Sequence, residues 1–564
     1  MSDHESVLHV YSRSADVRER NENTFIIESE INAAEDDAHM EVLASLTEYV
    51  NQSESSPSIA QGLLPYLVFS RYGKLPARVI AYRRLRDRII EEEHIRIVPH
   101  EVDECHKPII DDVARSTGIA VGDQTFSTPE SRLRDLFSIG LIATLIEQVF
   151  SVVYSRVKYS TTDPDLVSLT SSGRDRNESL VINELSLDTT VVTSVRTTAW
   201  LRRDYETDYD NHVTLRPLNS YASPRAIYKQ VKQLWSLSRQ SWAGKWEIES
   251  GLTERLAADM DVTVPRTVHH ACSVAMSSGV RQVLSYYLVA RALDEEKPTK
   301  VVVRGDSPRP RLALEAASRR DRELYYLPHS ITCGYEVLPA QQDTTQFMPG
   351  PYEVEYLQNS SLKKYLPNLV PTGRPIHEEY RKNSINHTPS SAETLTILVA
   401  TQPFDDFVRK RFVDVVLNGL ASLPDDHEVI IKIHPSESTE FYEDWVRERD
   451  ADQSVVVESG PVEPFLNTAD LSITINSNVG FESMMTDTPL VAYNEWGVTL
   501  SVFPYMKHES VPVARNESDF EDIISDLTRE RLQRLTESQV RFVESGYYFE
   551  ESVLRIKTDL EKIS

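Results

Sequence analysis

Cysteine is scarce in this chain of 564 residues. Cys105, Cys272 and Cys333 are odd in number and far apart, which argues against both a disulfide framework and a zinc cluster. The first twenty residues hold no apolar signal core, so export by that route is not indicated and a cytoplasmic location is expected. Sequons such as Asn516-Glu-Ser then carry no meaning. Long apolar runs are missing too. The longest, Leu136 to Val153, includes Glu147 and Gln148 and is at the short end for spanning a bilayer. It reads as a buried core helix or as a contact with a membrane surface. No Gly-x-Ser-x-Gly elbow, Walker loop or Gly-x-Gly-x-x-Gly fingerprint is found, and no solenoid repeat. Positive charge is in deficit: 87 acidic residues face 60 basic ones, a net charge of −27. Such a field disfavours nonspecific binding to nucleic acid.

What is present supports a globular protein. Hydrophobic residues make up 40% of the chain, enough for real cores, and the length allows two or three domains. Only 16 of the basic residues are lysine. An acidic, lysine-poor composition resembles that of proteins from salt-accumulating haloarchaea, although an acidic mesophilic protein reads the same way.

The pattern along the chain is mixed α/β. Residues 1–58 are acidic and polar with weak periodicity, apart from a short strand candidate at Phe25 to Ser29. Helical spacing runs from Ile59 to Glu93 and includes the basic stretch Arg83 to Arg88. A strand at His94 to His100 and a helix at Cys105 to Thr117 follow, then a helix at Glu130 to Val157. Ser, Thr, Asp and Gly make Thr161 to Asn177 a loop, with strand candidates at Ser179 to Val195. Helices are expected at Ser223 to Trp246, Thr253 to Met260 and Val268 to Leu293. Strand Lys300–Asp306, helix Pro310–Arg322 and strand Glu323–Ser330 form a βαβ unit whose strands should be parallel. A strand ends at Gly373, a domain linker is expected near Pro371 to Glu393, and its stretch from Lys382 to Glu393 is polar. Strands and helices then alternate to Tyr493, and a charged helical tail follows. This divides the chain into an N-terminal segment (1–58), a Rossmann-like domain with helical insertions (59–370), a second Rossmann-like domain (371–535) and a C-terminal helix (536–564).

In an open parallel sheet, ligands bind beyond the carboxyl ends of the strands. Two turns there carry suitable side chains. Ile430 to Ile433 ends in His434-Pro435, and a histidine there can donate to a phosphate oxygen or bond a loop carbonyl. Ile473 to Ile475 leads into Asn476-Ser477-Asn478-Val479-Gly480-Phe481-Glu482. A helix starting near Asn478 turns free N–H groups and its positive dipole end toward the strand tips, unless Ser477 or Asn478 is simply its N-cap. Glu482 lies one turn further on, placed to reach a ribose diol. Thr401-Gln402 is a third strand-end pair. Lys432 alternates with buried isoleucines and points either into the site or to the other face of the sheet. In the first domain, Asp306 ends a buried strand and reads as a base or as a helix cap.

These pieces resemble the GT-B class of glycosyltransferases and polyol-phosphate transferases. The nearest groups are capsule polysaccharide transferases, CDP-glycerol glycerophosphotransferases and the non-hydrolysing UDP-GlcNAc 2-epimerases. LYYLPHS is similar to a strand ending in His-Gly, VPTGRP to the strand that opens a second domain, and IKIHP and INSNVGFESMMTDTPLVAY to donor-site turns. The likeness covers Thr299 to Asp559. It implies two Rossmann-like domains facing a cleft. Donor phosphates would contact His434, Ser477 and Asn478, and Glu482 would hold the ribose. Gly373, Arg374, Thr401 and Lys432 would complete the donor side. His329, with Asp306 as a rival, would be the general base for the acceptor. The sequence departs from the pattern at Ser330, Asn478 and Val479, where the class carries glycine.

The implied function is transfer of a sugar from a nucleotide-activated donor to a surface-glycan or lipid-linked acceptor, with peripheral contact at the inner face of the membrane. No cofactor and no metal are called for. Alternatives are transfer of a polyol phosphate from a CDP-activated donor, and a non-catalytic nucleotide- or glycan-binding subunit. Epimerisation is disfavoured by the large N-terminal extension.

Overall fold

Three all-parallel sheets organise the chain. The computed structural model describes residues 7–11, 24–27, 75–122, 163–170, 176–193, 208–242, 247–304, 322–328, 344–384, 394–448, 455–495 and 503–562, except 95, 101, 103–105, 405 and 424–425, together with Val42 and Gln148. Asp306, His329 and the Leu136 to Val153 run apart from Gln148 lie outside the described residues.

The first sheet holds β1 (Val7–Tyr11), β2 (Thr24–Ile26), β3 (Arg96–His100) and β4 (Ala120–Val121), in the order β2-β1-β3-β4. Of its two N-terminal strands, β2 overlaps the strand candidate at Phe25 to Ser29, whereas β1 comes from a stretch without clear periodicity. β1 is five residues long, too short to stand out from polar surroundings. Helices Leu75–Glu91 and Lys107–Thr117 contribute buried side chains to the same core.

The second sheet has seven strands: β5 (Leu166–Thr170), β6 (Thr189–Thr193), β7 (Thr214–Pro217), β8 (Lys300–Arg304), β9 (Glu323–Leu327), β10 (Thr344–Met348) and β11 (Asn368–Pro371). Their order is β11-β10-β9-β8-β5-β6-β7. The third sheet has six: β12 (Leu395–Ala400), β13 (His427–Lys432), β14 (Val455–Glu458), β15 (Leu471–Thr474), β16 (Leu490–Tyr493) and β17 (Val513–Ala514). Their order is β14-β13-β12-β15-β16-β17. Every pairing is parallel. Parallel strands covered on both faces read as continuous β-branched runs, and VVV at 301–303 is fully buried for that reason. These two sheets with their helices are two doubly wound α/β domains, as the GT-B reading expects.

Several expectations are corrected. The segment Thr161 to Asn177 contains β5, an interior strand of its sheet beside β8, with all five residues buried. Its serine and threonine read as loop formers, but Ser168 is hydrogen-bonded to buried Glu178 inside the fold. Ser179 to Ile182, expected in a strand, belong to helix Arg176–Ile182, while the second half of that expectation is β6. The polar stretch expected to link the domains holds a helix, Pro375–Ser384. Its Arg381 donates to Asp487 at 2.9 Å and to Glu544 at 2.8 Å, so charges read as linker polarity are docking contacts. The Ser223 to Trp246 helix ends at Trp242, and a new helix begins at Glu247.

The chain crosses back at its end. Ile556 and Leu560 of helix Ser552–Glu561 share a core with Val302, Tyr325 and Phe347 of the second sheet. Lys300 Nζ donates to the Leu560 carbonyl at 2.8 Å. At the other crossing, Gly373 has φ +82° and is packed under Tyr548 and Ser552, leaving no room for a side chain. Among the described residues, no helix is long and apolar enough to cross a membrane.

Candidate functional site

The third sheet reverses direction between β12 and β15. From β12 the chain adds β13 and β14 on one side, then β15, β16 and β17 on the other. A crevice opens beyond the carboxyl ends at such a switch point. Register aligns the tips: Ala400 lies opposite Lys432 and opposite Thr474. Thr401–Gln402, His434 and Asn476–Ser477 therefore leave the sheet side by side. With strands about 4.8 Å apart, the two outer turns stand about 10 Å apart across the tip of β12, a span suited to a diphosphate.

Glu437 organises the His434 turn. One carboxylate oxygen accepts from the Thr401 hydroxyl at 2.5 Å and from the His434 backbone N–H at 3.0 Å. The other accepts from the Tyr442 hydroxyl at 2.6 Å and faces Arg409 at 3.5 Å. Burial, reinforced by this carboxylate, raises the Tyr442 hydroxyl well above its ordinary value. The His434 ring is fixed as well. Its Nδ1 accepts from the Ser436 backbone N–H at 3.2 Å and lies 2.7 Å from the Ser436 hydroxyl. In the neutral ring the proton is then on Nε2. Burial lowers the imidazole below its ordinary value, so His434 presents a neutral N–H donor at pH 7.

A side-chain amide clamps the second turn. Gln402 Nε2 donates to the Asn476 carbonyl at 2.5 Å, and Gln402 Oε1 accepts from the Asn476 N–H at 2.9 Å. Ser477 is the N-cap of helix Asn478–Met485, its hydroxyl accepting from the Val479 N–H at 3.2 Å. Tyr505 donates its hydroxyl to the Ser477 carbonyl at 2.8 Å. Gly480 completes the turn by close packing. A Cβ there would stand 2.8 Å from the Tyr505 hydroxyl and 3.1 Å from both Leu490 and Thr474. Glycine-to-alanine changes inside helices usually stabilise. Here the sign reverses: Gly480→Ala is expected to cost about 1–3 kcal/mol by overpacking, and a urea midpoint equal to or above the parent's would contradict this.

Deeper in the crevice, charges gather around Glu482. Burial raises its carboxyl to about 7, against the pull of Arg374 and with the repulsion of Glu463. Arg374 is buried and donates to His377 Nε2 at 2.7 Å. Burial, with Arg374 beside it, holds His377 well below its ordinary value, so this ring is a neutral acceptor. Tyr380 bonds Glu463, and burial raises its hydroxyl. Lys432 belongs to the same group. Its Nζ donates to the Ile433 carbonyl at 3.0 Å, and burial lowers its ammonium while Glu463 and Glu458 act the other way.

The structure thus brings Thr401, Lys432, His434, Ser477 and Asn478 to one row of strand ends, with Glu482 beside it under the electrostatic influence of Arg374. The Thr401 hydroxyl is bound to Glu437, so it positions the turn. Gly373 serves the backbone crossing described above. In the first domain the switch point lies between β5 and β8. Asp306 and His329 follow β8 and β9 in sequence and lie outside the described residues. Among the described residues, no group of three or more His, Cys, Asp or Glu is disposed to hold a metal ion. Sequence reasoning placed Gln402 at a strand end without its clamping role, and missed Glu437, Glu463, Tyr380 and Tyr505. Only Glu437 gave a local signal, three residues after His434 and five before Tyr442; the others arrive through tertiary packing.

A sequence comparison with curated proteins gave no match. Among solved structures, UDP-GlcNAc 2-epimerase from Neisseria meningitidis bound to UDP-GlcNAc is similar at 11% identity, covering 70% of this chain and 100% of that one, with a TM-score of 0.41. The S. aureus protein MnaA with UDP gives 13% identity, 70% and 94% coverage and a TM-score of 0.41. The wall teichoic acid polymerase TagF gives 10% identity, 77% and 98% coverage and a TM-score of 0.39. Likeness at this level carries no chemistry. Residues 396–516, the span that holds all three turns, match the family model described as capsule polysaccharide biosynthesis protein.

Proposed function

We propose that this protein is a glycosyltransferase that moves a sugar from a nucleotide-activated donor to a surface-glycan or lipid-linked acceptor. The observation that carries this reading is the row of strand-end turns at the switch point of the third sheet. A neutral Nε2–H donor on His434 and the N-terminus of helix Asn478–Met485 flank Thr401–Gln402. Both suit phosphate oxygens. Glu482, with Arg374 beside it, suits a ribose diol.

The reaction breaks the bond between the sugar's anomeric carbon and the donor phosphate. It forms a bond from that carbon to an acceptor oxygen, whose proton passes to a base. The leaving phosphate gains negative charge, and donors already aimed at it stabilise that charge without reorganising. His329, with Asp306 as the rival, is the proposed base, acting from the first domain without cofactor or metal. The match of residues 396–516 to the capsule polysaccharide biosynthesis model supports a role in glycan synthesis. We place the work at the cytoplasmic face of the membrane.

The test is release of free nucleotide from UDP-, GDP- and CMP- or CDP-linked donors in the presence of candidate acceptors, with nucleotide binding measured alongside. One nucleotide class is expected to bind and turn over, and His434→Ala to weaken both. Turnover of CDP-glycerol in place of a sugar donor would reassign the protein to polyol-phosphate transfer. Binding without turnover of any donor would favour a non-catalytic subunit, and absence of any nucleotide binding would remove the enzyme reading altogether.

A further inference from the structure

A basic island interrupts this acidic chain. From Asn211 to Trp246 there is no aspartate or glutamate, where the chain average of 87 in 564 would place five or six. The same stretch holds Arg216, Arg225, Lys229, Lys232, Arg239 and Lys245. Arg216 is neutralised internally by buried Glu296. The others lie on or just beyond helix Pro224–Trp242, which follows β7 at the edge of the second sheet.

The helix is two-faced. Ala226 and Gln230 are buried, on the side facing helix Pro265–Glu296. At about 100° per residue, Tyr228, Val231 and Trp235 fall on the opposite side. They are 66%, 46% and 55% exposed, on a face where large apolar groups are costly to leave in water. Arg225, Lys229 and Lys232 are exposed along one flank of that stripe. The combination is an aromatic-aliphatic stripe with adjacent cations and no anions.

We propose that helix Pro224–Trp242 docks on an anionic lipid surface, lying in the interface with Tyr228, Val231 and Trp235 inserted. Charge complementarity selects this occupant. The chain as a whole carries a net charge of −27 and is repelled by an anionic membrane, so one basic helix both attracts and orients it. Tyrosine and tryptophan favour the boundary between headgroups and acyl chains, and a helix with one apolar and one basic face binds there by burial plus electrostatics. A soluble polyanion would use the cations but leave the stripe in water. This inference stands apart from the proposed chemistry and does not depend on it.

The test is flotation of the full chain with phosphatidylcholine vesicles, with and without about 30% phosphatidylglycerol, at fixed salt. The parent chain is expected to float with the anionic vesicles and poorly with the neutral ones. Each basic residue near such a surface contributes about fivefold to partitioning, so Lys229→Glu with Lys232→Glu is expected to lower it by at least about 25-fold. The triple change Tyr228→Ser, Val231→Ser, Trp235→Ser should abolish flotation with thermal unfolding unchanged, since all three side chains are exposed. Should the triple variant fail to fold, the charge variant decides alone. The proposal is overturned if the parent does not float, or if the charge variant floats as the parent does. It is also overturned if dextran sulfate retains the parent while vesicles do not, or if sedimentation shows the stripe holding two copies together with no vesicle binding.

Discussion

Glu437→Ala is expected to destabilise the protein by about 3–5 kcal/mol, the range for removing one partner of a buried ionic group. Nucleotide binding should fall by at least about a hundredfold with it. The carboxylate side chain is 1% exposed and serves four groups: the Thr401 hydroxyl, the His434 N–H, the Tyr442 hydroxyl and Arg409. Alanine leaves these donors facing a void, and each unsatisfied buried donor costs about 1–3 kcal/mol. The turn that fixes His434 then has no anchor, although His434 itself is untouched. Glu437→Gln separates charge from shape. Its amide still offers one acceptor oxygen, but its NH2 must face either Thr401 and His434 or Tyr442 and Arg409. An intermediate loss of about 1–2 kcal/mol is expected for a single mismatched bond. Urea unfolding with an unchanged slope, together with titration of the nucleotide that the donor panel selects, measures both effects. An alanine variant within about 1 kcal/mol of the parent that binds nucleotide normally would remove Glu437 from the site.

Glu437 also shows where the sequence stops being legible. The third sheet can be read almost strand for strand, because buried parallel strands such as LTILVA (Leu395–Ala400) and LSIT (Leu471–Thr474) are short β-branched runs separated by helical spacing. Strand ends follow from those runs, and so do the turns that carry His434 and Ser477. What fixes the turns does not follow. Gln402 reaches Asn476 across 74 residues of chain, and Tyr505 reaches Ser477 across 28. Nothing local marks a glutamine or tyrosine for such a task. The second sheet fails for a different reason. β5 spells LVSLT, and its serine reads as loop until Glu178, ten residues on, is seen to hold it. Polar residues that satisfy one another inside a core mislead a reading based on hydropathy alone. The helix Pro375–Ser384 reads as a linker because Arg381, Lys382 and Glu378 are polar. Yet Glu378 accepts from the Ser552 N–H at 2.9 Å and Arg381 holds Glu544, tying the domain junction to the returning C-terminal segment.

Glu482→Gln is expected to move stability and binding in opposite directions, and both in a pH-dependent way. The carboxyl is raised from 4.5 to about 7 in the folded protein. The folded state therefore holds a proton that the unfolded chain releases between those values. Stability linked to this group is fully present below about 4.5 and is lost as pH rises through about 7. At about 1.4 kcal/mol per pKa unit, over the roughly 2.5 units from 4.5 to about 7, the loss is bounded at about 3–4 kcal/mol. Glutamine cannot ionise, so the variant should be more stable than the parent at pH 8, by up to that amount, and within about 1 kcal/mol of it at pH 5. Nucleotide binding should show the reverse. An ionised carboxylate accepts both hydroxyls of a ribose diol, and hydrogen bonds to a charged group contribute about 1.5–3 kcal/mol. The parent's affinity is expected to rise as pH passes about 7, whereas the variant's stays flat and is about 10- to 100-fold weaker at pH 8. Arg374 sharpens the contrast, since its charge favours the ionised form that the nucleotide requires. Thermal unfolding and nucleotide titration at pH 5, 6.5 and 8 read the two trends separately. If the variant keeps the parent's pH profile in both, Glu482 is neither the raised group nor the ribose contact. If stability shifts as expected while binding does not, the carboxyl titrates inside the crevice and the nucleotide lies elsewhere.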